Sequence, residues 1–213
     1  MKNLIILGAG GFGREVYDLA NYCHTDNSDF RIKGFLSDDP IDVESLGYPP
    51  VLSTIEGYEI KENDLFIPAI GNVHDRKKVV EIILRKGGKF ITLIHPFAVI
   101  SPSARIGQGV AVKAFCVLAS DVVIGDYTFL QSSTIFGHDV HIGNFCQINS
   151  FSFFAGCVKV NNLVTVNAGT KIVQGRQIGE ASTIGMGSIV LKDVPTGVKV
   201  FGNPARIIDE KSI

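Results

Sequence analysis

From Ile100 to Val190 an apolar residue returns at every sixth position. Ile100, Ile106, Val112, Leu118, Ile124, Leu130, Phe136, Ile142, Ile148, Phe154, Val160, Val166, Ile172, Ile178, Ile184 and Val190 hold this register without a slip. Four residues after each comes a second series, running from Ala104, Val110 and Cys116 to Ser188, that is small or β-branched everywhere except at Arg176. Glycine or asparagine often follows the apolar anchor, as at Gly107, Gly125, Gly137, Gly143, Asn161, Asn167, Gly179 and Gly185. A period of six fits neither an α-helix nor a simple hairpin alternation. It fits a short parallel strand plus a tight turn, with one large and one small side chain facing inward in each unit.

Three such units close a triangular coil of 18 residues, and stacked coils bury a continuous column of Ile, Val and Leu. This pattern resembles the hexapeptide repeat of left-handed parallel β-helices, and the winding sense is taken from that resemblance, because ordinary crossovers are right-handed. About five coils fit between Ile100 and Val190. Such helices usually pack side by side, so the resemblance implies a homotrimer with active sites between subunits. Arg176 either bends outward or marks a local irregularity.

The first half has a different rhythm. The apolar run Leu4–Leu7 predicts a buried strand, too short for a signal peptide and soon followed by Arg14 and Glu15. Gly8, Gly10 and Gly13 follow it in the spacing G-x-G-x-x-G, and a helix is expected from about Arg14 to Tyr22. Strands are expected at Ile32–Leu36, Leu65–Ile70 and Phe90–Leu93, and a second helix from Asp75 to Arg85 closed by Gly87 and Gly88. These elements predict a small Rossmann-like βαβ α/β domain over residues 1–94, followed by an all-β left-handed parallel β-helix over residues 95–213. A complete dinucleotide fold has two halves and needs about 150 residues. The short domain therefore fits a single phosphate or diphosphate at one helix N-terminus better than it fits NAD.

Composition excludes several classes. With 46% hydrophobic and 19% charged residues the chain is globular rather than disordered. A formal net charge of −1 without a basic run argues against nucleic acid and anionic membranes. No segment reaches the roughly 20 apolar residues of a membrane span, so no membrane insertion is expected. Cys23, Cys116, Cys146 and Cys157 form no C-x-x-C pair, which predicts free thiols in a reducing, cytoplasmic setting.

The segments GAGGFGREV, GFLSDDP, IGN followed by RKKV, HPFAVISPSARIG, the hexads and VFGNPARII occur in this order along nearly the whole chain. Together they resemble the sialic acid O-acetyltransferase-like sugar acetyltransferases, which include N-acetyltransferases of UDP-4-amino sugars in the bacillosamine pathway. The resemblance implies that the small domain binds a nucleotide-sugar and the β-helix binds acetyl-CoA, with direct attack of the acceptor on the thioester and no metal. It maps the general base onto His138 in FGHDVHIG, with Asp139 as its carboxylate partner. It maps onto Gly156, one 18-residue coil later, the N–H that receives the thioester oxygen. Gly10, Gly11, Phe12, Gly13, Ser37, Asp38 and Gln131 fall at substrate-binding positions, and Gln147 at a position that helps hold the thioester. The chain departs from the family pattern at four of these: Phe12 and Gln147 stand where relatives often carry histidine, Ser37 replaces an acid, and Gln131 stands where Asn is common. Gly137 likewise stands where relatives often have an acidic residue.

The chemistry at His138 agrees with that mapping, because a neutral imidazole accepts a proton near neutral pH and a carboxylate orients it. The competing histidines have plainer readings. His141 is expected at the surface or along a groove, since no third histidine completes a metal site with it. His95 is expected to be structural, and His24 and His74 to be exposed. Cys116 and Cys146 fall on the small inward series and are expected to fill the core. The expected function is acetyl-CoA-dependent N-acetylation of a nucleotide-linked 4-amino-4,6-dideoxy sugar. The alternatives are O-acetylation of a sugar or polysaccharide hydroxyl or of another acceptor, and an inactive trimeric scaffold.

Overall fold

A computed structural model of the chain describes residues 1–23 and 30–209 and divides into two compact units, 1–96 and 97–213. The division falls two residues beyond the boundary expected from sequence. His24 lies outside the described residues.

The first unit is a five-stranded parallel sheet. Its elements are β1 (Lys2–Leu7), α1 (Gly11–Cys23), β2 (Phe30–Leu36), β3 (Val51–Ser53), β4 (Asp64–Pro68), α2 (Val73–Arg85) and β5 (Lys89–Phe90). The spatial order is β3-β2-β1-β4-β5. Leu4, Ile5, Ile6 and Leu7 are fully buried, as a strand covered on both faces requires. Val16, Leu19 and Ala20 form the buried stripe of α1, and Val79, Val80 and Ile83 that of α2. Asn72 caps α2 by accepting hydrogen bonds from the His74 and Asp75 N–H groups. The sequence reading missed β3, a three-residue strand too short to carry a periodic signal. The run Phe90–Leu93, expected to be one strand, breaks into Lys89–Phe90 and Leu93–Ile94.

At the N-terminal ends of β1 and β4 a polar cluster ties the sheet together. Asp64 accepts hydrogen bonds from the Tyr58 hydroxyl (2.9 Å), the Lys61 N–H (2.9 Å) and Asn3 Nδ2 (3.2 Å). Lys33 Nζ lies 3.5 Å from the same carboxylate. Burial alone would raise the Asp64 pKa, but these hydrogen bonds and the ammonium outweigh it and hold the carboxyl below its ordinary value. Burial and the Asp64 carboxylate together push the Tyr58 phenol up.

The second unit is a parallel β-helix. Two-residue strands recur every six residues and pair in parallel with strands 18 residues away, as in Val117↔Ile135↔Phe153 and Val123↔His141↔Lys159. The three faces carry, in turn, Ile135–Phe136, His141–Ile142 and Gln147–Ile148 with their stacked equivalents. Both inward series form the core from Ile100 to Val190, and Phe136 stacks on Phe154 with ring centroids 4.9 Å apart. Inward hydroxyls are satisfied by backbone carbonyls: Thr134 Oγ1 donates to Gln131 O at 2.8 Å, and Thr170 Oγ1 to Asn167 O at 2.7 Å. Cys116 and Cys146 are fully buried, as expected, and burial raises the Cys116 thiol to about 11. Arg176 leaves the core, pairing with Asp193 at 3.6 Å, because a guanidinium has no partner inside an apolar prism.

The corners carry a feature the sequence did not announce. From Gly109 on, the residue before each small inward position lies in the left-handed backbone region, and most of these residues are not glycine: Asp121, Tyr127, Ser133, Asp139, Phe145, Phe151, Cys157 and Leu163 have φ between 56° and 62°. Each costs about 1–2 kcal/mol relative to glycine. Stacking offsets it, since the N–H at each such residue donates to an oxygen of the coil below, a carbonyl in most cases, as Asp139 does to Ser120 O (3.0 Å) and Cys157 to His138 O (2.9 Å), and the Ser103 hydroxyl for Asp121.

Candidate active site

The small domain holds one candidate site, a cavity of about 470 Å³. It opens beyond the carboxyl ends of β1 and β4, where the chain winds outward in both directions, the position at which open parallel sheets bind ligands. Both helices begin here, so backbone N–H groups and the positive ends of two helix dipoles face the cavity. Gly10, Gly11, Phe12, Ser37 and Asp38 line it, as the sequence suggested, and Ile70 and Asp75 join them. Asp75 was missed because the G-x-G-x-x-G pattern draws attention to the first helix only. The Asp38 carboxylate also accepts the Ile55 N–H at 2.9 Å, pinning the far wall. The Ser37 hydroxyl is engaged in a local turn with Asp39.

Gly13 does not line the cavity. It is buried, and a β-carbon there would overlap the Gly8 carbonyl, with Gly8 C only 2.8 Å away. Its task is to let α1 approach β1, a packing role rather than the substrate contact expected of it.

The β-helix holds a separate candidate site, a corner between the Ile135–Phe136 and His141–Ile142 strands. His138 projects outward, and its Nδ1 lies 2.7 Å from Asp139 Oδ2. The left-handed φ of 58° at Asp139 sets the carboxylate beside the preceding ring. One coil later Gly156 lies under the imidazole: a β-carbon there would sit 2.7 Å from Cε1 and 2.9 Å from Cδ2. At the next corner, Asp126, Asn144 and Asn162 each cap the N–H of the residue 18 positions earlier, at 2.8–2.9 Å. The His138 corner has no such ladder. Glycine at 156 offers no side chain, and the Gly156 N–H has no protein acceptor among the described residues. Because a carboxylate only accepts, the tautomer that satisfies the 2.7 Å contact carries its proton on Nδ1 toward Asp139 and leaves the Nε2 lone pair over Gly156, beside an unengaged amide donor.

Gln131 and Gln147 are not part of this corner within one protomer. Gln147 sits on the third face, half a coil from His138, nearly buried and donating to Asn149 Oδ1 at 3.0 Å. Nine residues is one and a half hexads, so stacking cannot bring it over His138. Gln131 lies at the turn after the third face, where its carbonyl accepts the Thr134 hydroxyl. His141 is exposed on the second face, and His74 is exposed at the start of α2. His95 is buried with its ring against Tyr22, centroids 4.7 Å apart. Cys157, not singled out from sequence, stacks over Asp139 at the same corner.

Comparison with known proteins matches the two segments to different family models. Residues 3–83 match the PglD N-terminal domain family and residues 89–181 the GMPPB C-terminal domain family. The acetyltransferase domain of PglB from Neisseria gonorrhoeae is 30% identical over 98% of this chain and 100% of its own, with a TM-score of 0.89. The chain belongs to the hexapeptide-repeat sugar acetyltransferases. PerB from Caulobacter crescentus, solved in complex with CoA and GDP-perosamine, is 28% identical over 98% of each chain, with a TM-score of 0.87. UDP-N-acetylbacillosamine N-acetyltransferase of Bacillus subtilis is 34% identical over 119 residues, which span 54% of this chain and 52% of that relative. Among the described residues of this family member no helix is long and apolar enough to cross a membrane.

Proposed function

We propose that this chain transfers an acetyl group from acetyl-CoA to the amine of a nucleotide-linked amino sugar, with a 4-amino-4,6-dideoxy sugar as the acceptor class. The observation that carries this reading is the His138 corner: an imidazole fixed at 2.7 Å from Asp139 and lying over the bare Gly156. The acceptor nitrogen attacks the thioester carbonyl carbon and passes its proton to His138 Nε2. Negative charge gathers on the carbonyl oxygen, where the Gly156 N–H donates to it. Collapse of the tetrahedral intermediate expels the CoA thiolate, which takes the proton back from the imidazolium. Asp139 keeps the ring in the productive tautomer and steadies its positive form. No acyl-enzyme is needed, and the buried Cys116 and Cys146 take no part.

The cavity at the glycine loop suits the nucleotide end of the acceptor. Helix N-termini there attract a diphosphate, Asp38 and Asp75 offer acceptors for hydroxyl or base N–H groups, and Phe12 supplies an apolar surface. The nucleotide and sugar bound by PerB suggest GDP-linked acceptors, and the Bacillus subtilis relative suggests UDP-linked ones.

A homotrimer is part of this reading. Val99, Ile135 and Phe153 expose apolar side chains on the first face of the β-helix, and Phe97, Phe115 and Phe151 do so at the adjoining corner. A neighbour packed on this face would wall the groove beside His138 and could bring its own Gln147 toward it. A nucleotide-sugar is an activated glycosyl donor, so the product would feed a glycosyltransferase in cytoplasmic glycan synthesis.

The test is thiol release from acetyl-CoA with UDP-, GDP- and TDP-linked 4-amino sugars. Release should depend on one of these acceptors, and His138→Ala should lower it about 100-fold or more. Equal release with hydroxyl-only sugars, or unchanged turnover in the variant, would overturn the assignment.

A further inference from the structure

Three ligand-bearing side chains meet at the His138 corner, and direct acetyl transfer uses only two of them. The imidazole of His138, the carboxylate of Asp139 and the thiol of Cys157 each place a ligand atom within 4.8 Å of the others. The convergence follows from the coil. Residues 139 and 157 are 18 apart and share the same left-handed conformation, φ 58° and 61°, so their side chains leave the corner in the same direction. The Cys157 N–H donates to His138 O at 2.9 Å, locking the two coils at this point. Glycine at 156 leaves the ring room to lie against the coil beside Cys157.

We infer that this corner is a binding site for Zn²⁺, with His138, Asp139 and Cys157 as ligands and a fourth position open, and that zinc occupancy switches the enzyme off. A thiolate, an imidazole and a carboxylate form a donor set suited to zinc. Tetrahedral ligation needs donor atoms about 3.5 Å apart. The His138 and Asp139 side chains are 58% and 55% exposed, so they are free to make this small adjustment, opening their 2.7 Å contact and drawing toward the thiol. On binding, the cysteine proton is released to water and the zinc–sulfur bond forms. A metal on Nδ1 leaves the ring proton on Nε2, which removes the lone pair that would otherwise accept the amine proton, and it places a dication beside the position the thioester must take. The open position can accept water or the thiolate of CoA, so product would tighten the block.

The experiment uses the full chain and Co²⁺ as a spectroscopic stand-in, followed by Zn²⁺ alone in titration calorimetry. The expected result is one metal per protomer and a thiolate-to-cobalt charge-transfer band that zinc displaces. Cys157→Ser and Cys157→Ala should both lose the band and bind zinc at least about ten-fold more weakly, with unchanged circular dichroism. Cys23→Ser, a thiol in the other domain, should change neither. A cobalt complex without the sulfur band, or Cys157 variants that bind zinc like the parent, would overturn the site. A second arm rests on the acetyl-transfer reading: zinc should abolish turnover of the parent, a chelator should restore it, and Cys157→Ser should turn over normally and resist zinc. Because the spectroscopic arm needs no substrate, failure of the metal site and failure of the transferase reading give different results.

Discussion

Gly156→Ala is the sharpest single perturbation the structure offers. The added methyl would lie 2.7 Å from Cε1 and 2.9 Å from Cδ2 of His138, and nearer still to Nε2. Non-bonded carbon atoms settle at about 3.5–4.0 Å, so the imidazole must retreat by about 1 Å. It has solvent to retreat into, and doing so pulls it off the 2.7 Å contact with Asp139. Misplacing a reacting group by about 1 Å costs about 100-fold in rate, equivalent to about 2.7 kcal/mol of barrier. Gly156 lies outside the left-handed region, so alanine suits its backbone, and the N–H proposed to receive the oxyanion survives. Stability should therefore change by no more than about 0.5 kcal/mol. Steady-state thiol release should show kcat down about 100-fold with the acceptor KM little changed, while the melting curve stays in place. In the double variant with His138→Ala the loss should equal that of His138→Ala alone, since the methyl acts only through the ring. Retention of more than about a third of the parental kcat, or additive losses in the double variant, would refute the reasoning.

Other substitutions probe the fold and the glycine-loop cavity. Gly13→Ala drives a methyl into the Gly8 carbonyl and should destabilise the small domain by about 1–3 kcal/mol in thermal unfolding. Gly10→Ala, where a β-carbon meets nothing within 4 Å, should leave stability unchanged and weaken nucleotide-sugar binding in calorimetry. Phe154→Ala removes the partner of Phe136 in the β-helix core and should cost about 3–5 kcal/mol in denaturant unfolding. Asp64 is held below its ordinary value of 3.8 in the folded state, so it contributes stability above that value and loses the contribution as pH falls through the folded pKa. Asp64→Asn should consequently be less stable than the parent at neutral pH and show a shallower loss of stability on acidification. Parallel acid slopes for the two proteins would remove Asp64 from that account.

The β-helix could be read almost completely from its sequence, because each coil repeats one local rule. A six-residue period fixes the strand, the turn and the inward side chains, and 18-residue stacking follows from three faces per coil. The same arithmetic places Gly156, 18 residues on, over His138. The small domain was only partly readable: its long strands and helices carry periodicity, but β3 is too short to do so, and a glycine fingerprint cannot say which glycine touches ligand and which only admits a helix. Gly13 belongs to the second kind because its distance to Gly8 is a tertiary quantity.

Other features were decided only by folding. Left-handed backbone at Asp139 and Cys157 is invisible in the sequence, since neither is glycine; the hydrogen bonds of the neighbouring coil impose it. That conformation swings the Asp139 carboxylate onto the imidazole and gathers Cys157 beside both. Asp75 reached the glycine-loop cavity because parallel strands β1 and β4 end side by side and send their helices in opposite directions. Gln147, close to His138 in sequence, went to another face of the prism, since half a coil turns a side chain away as surely as a whole coil brings it back. Sequence periodicity thus determined the scaffold and its inward residues, where one local geometry repeats. Tertiary structure decided which outward groups share a corner, because that depends on stacking between coils and on the switch point of a sheet.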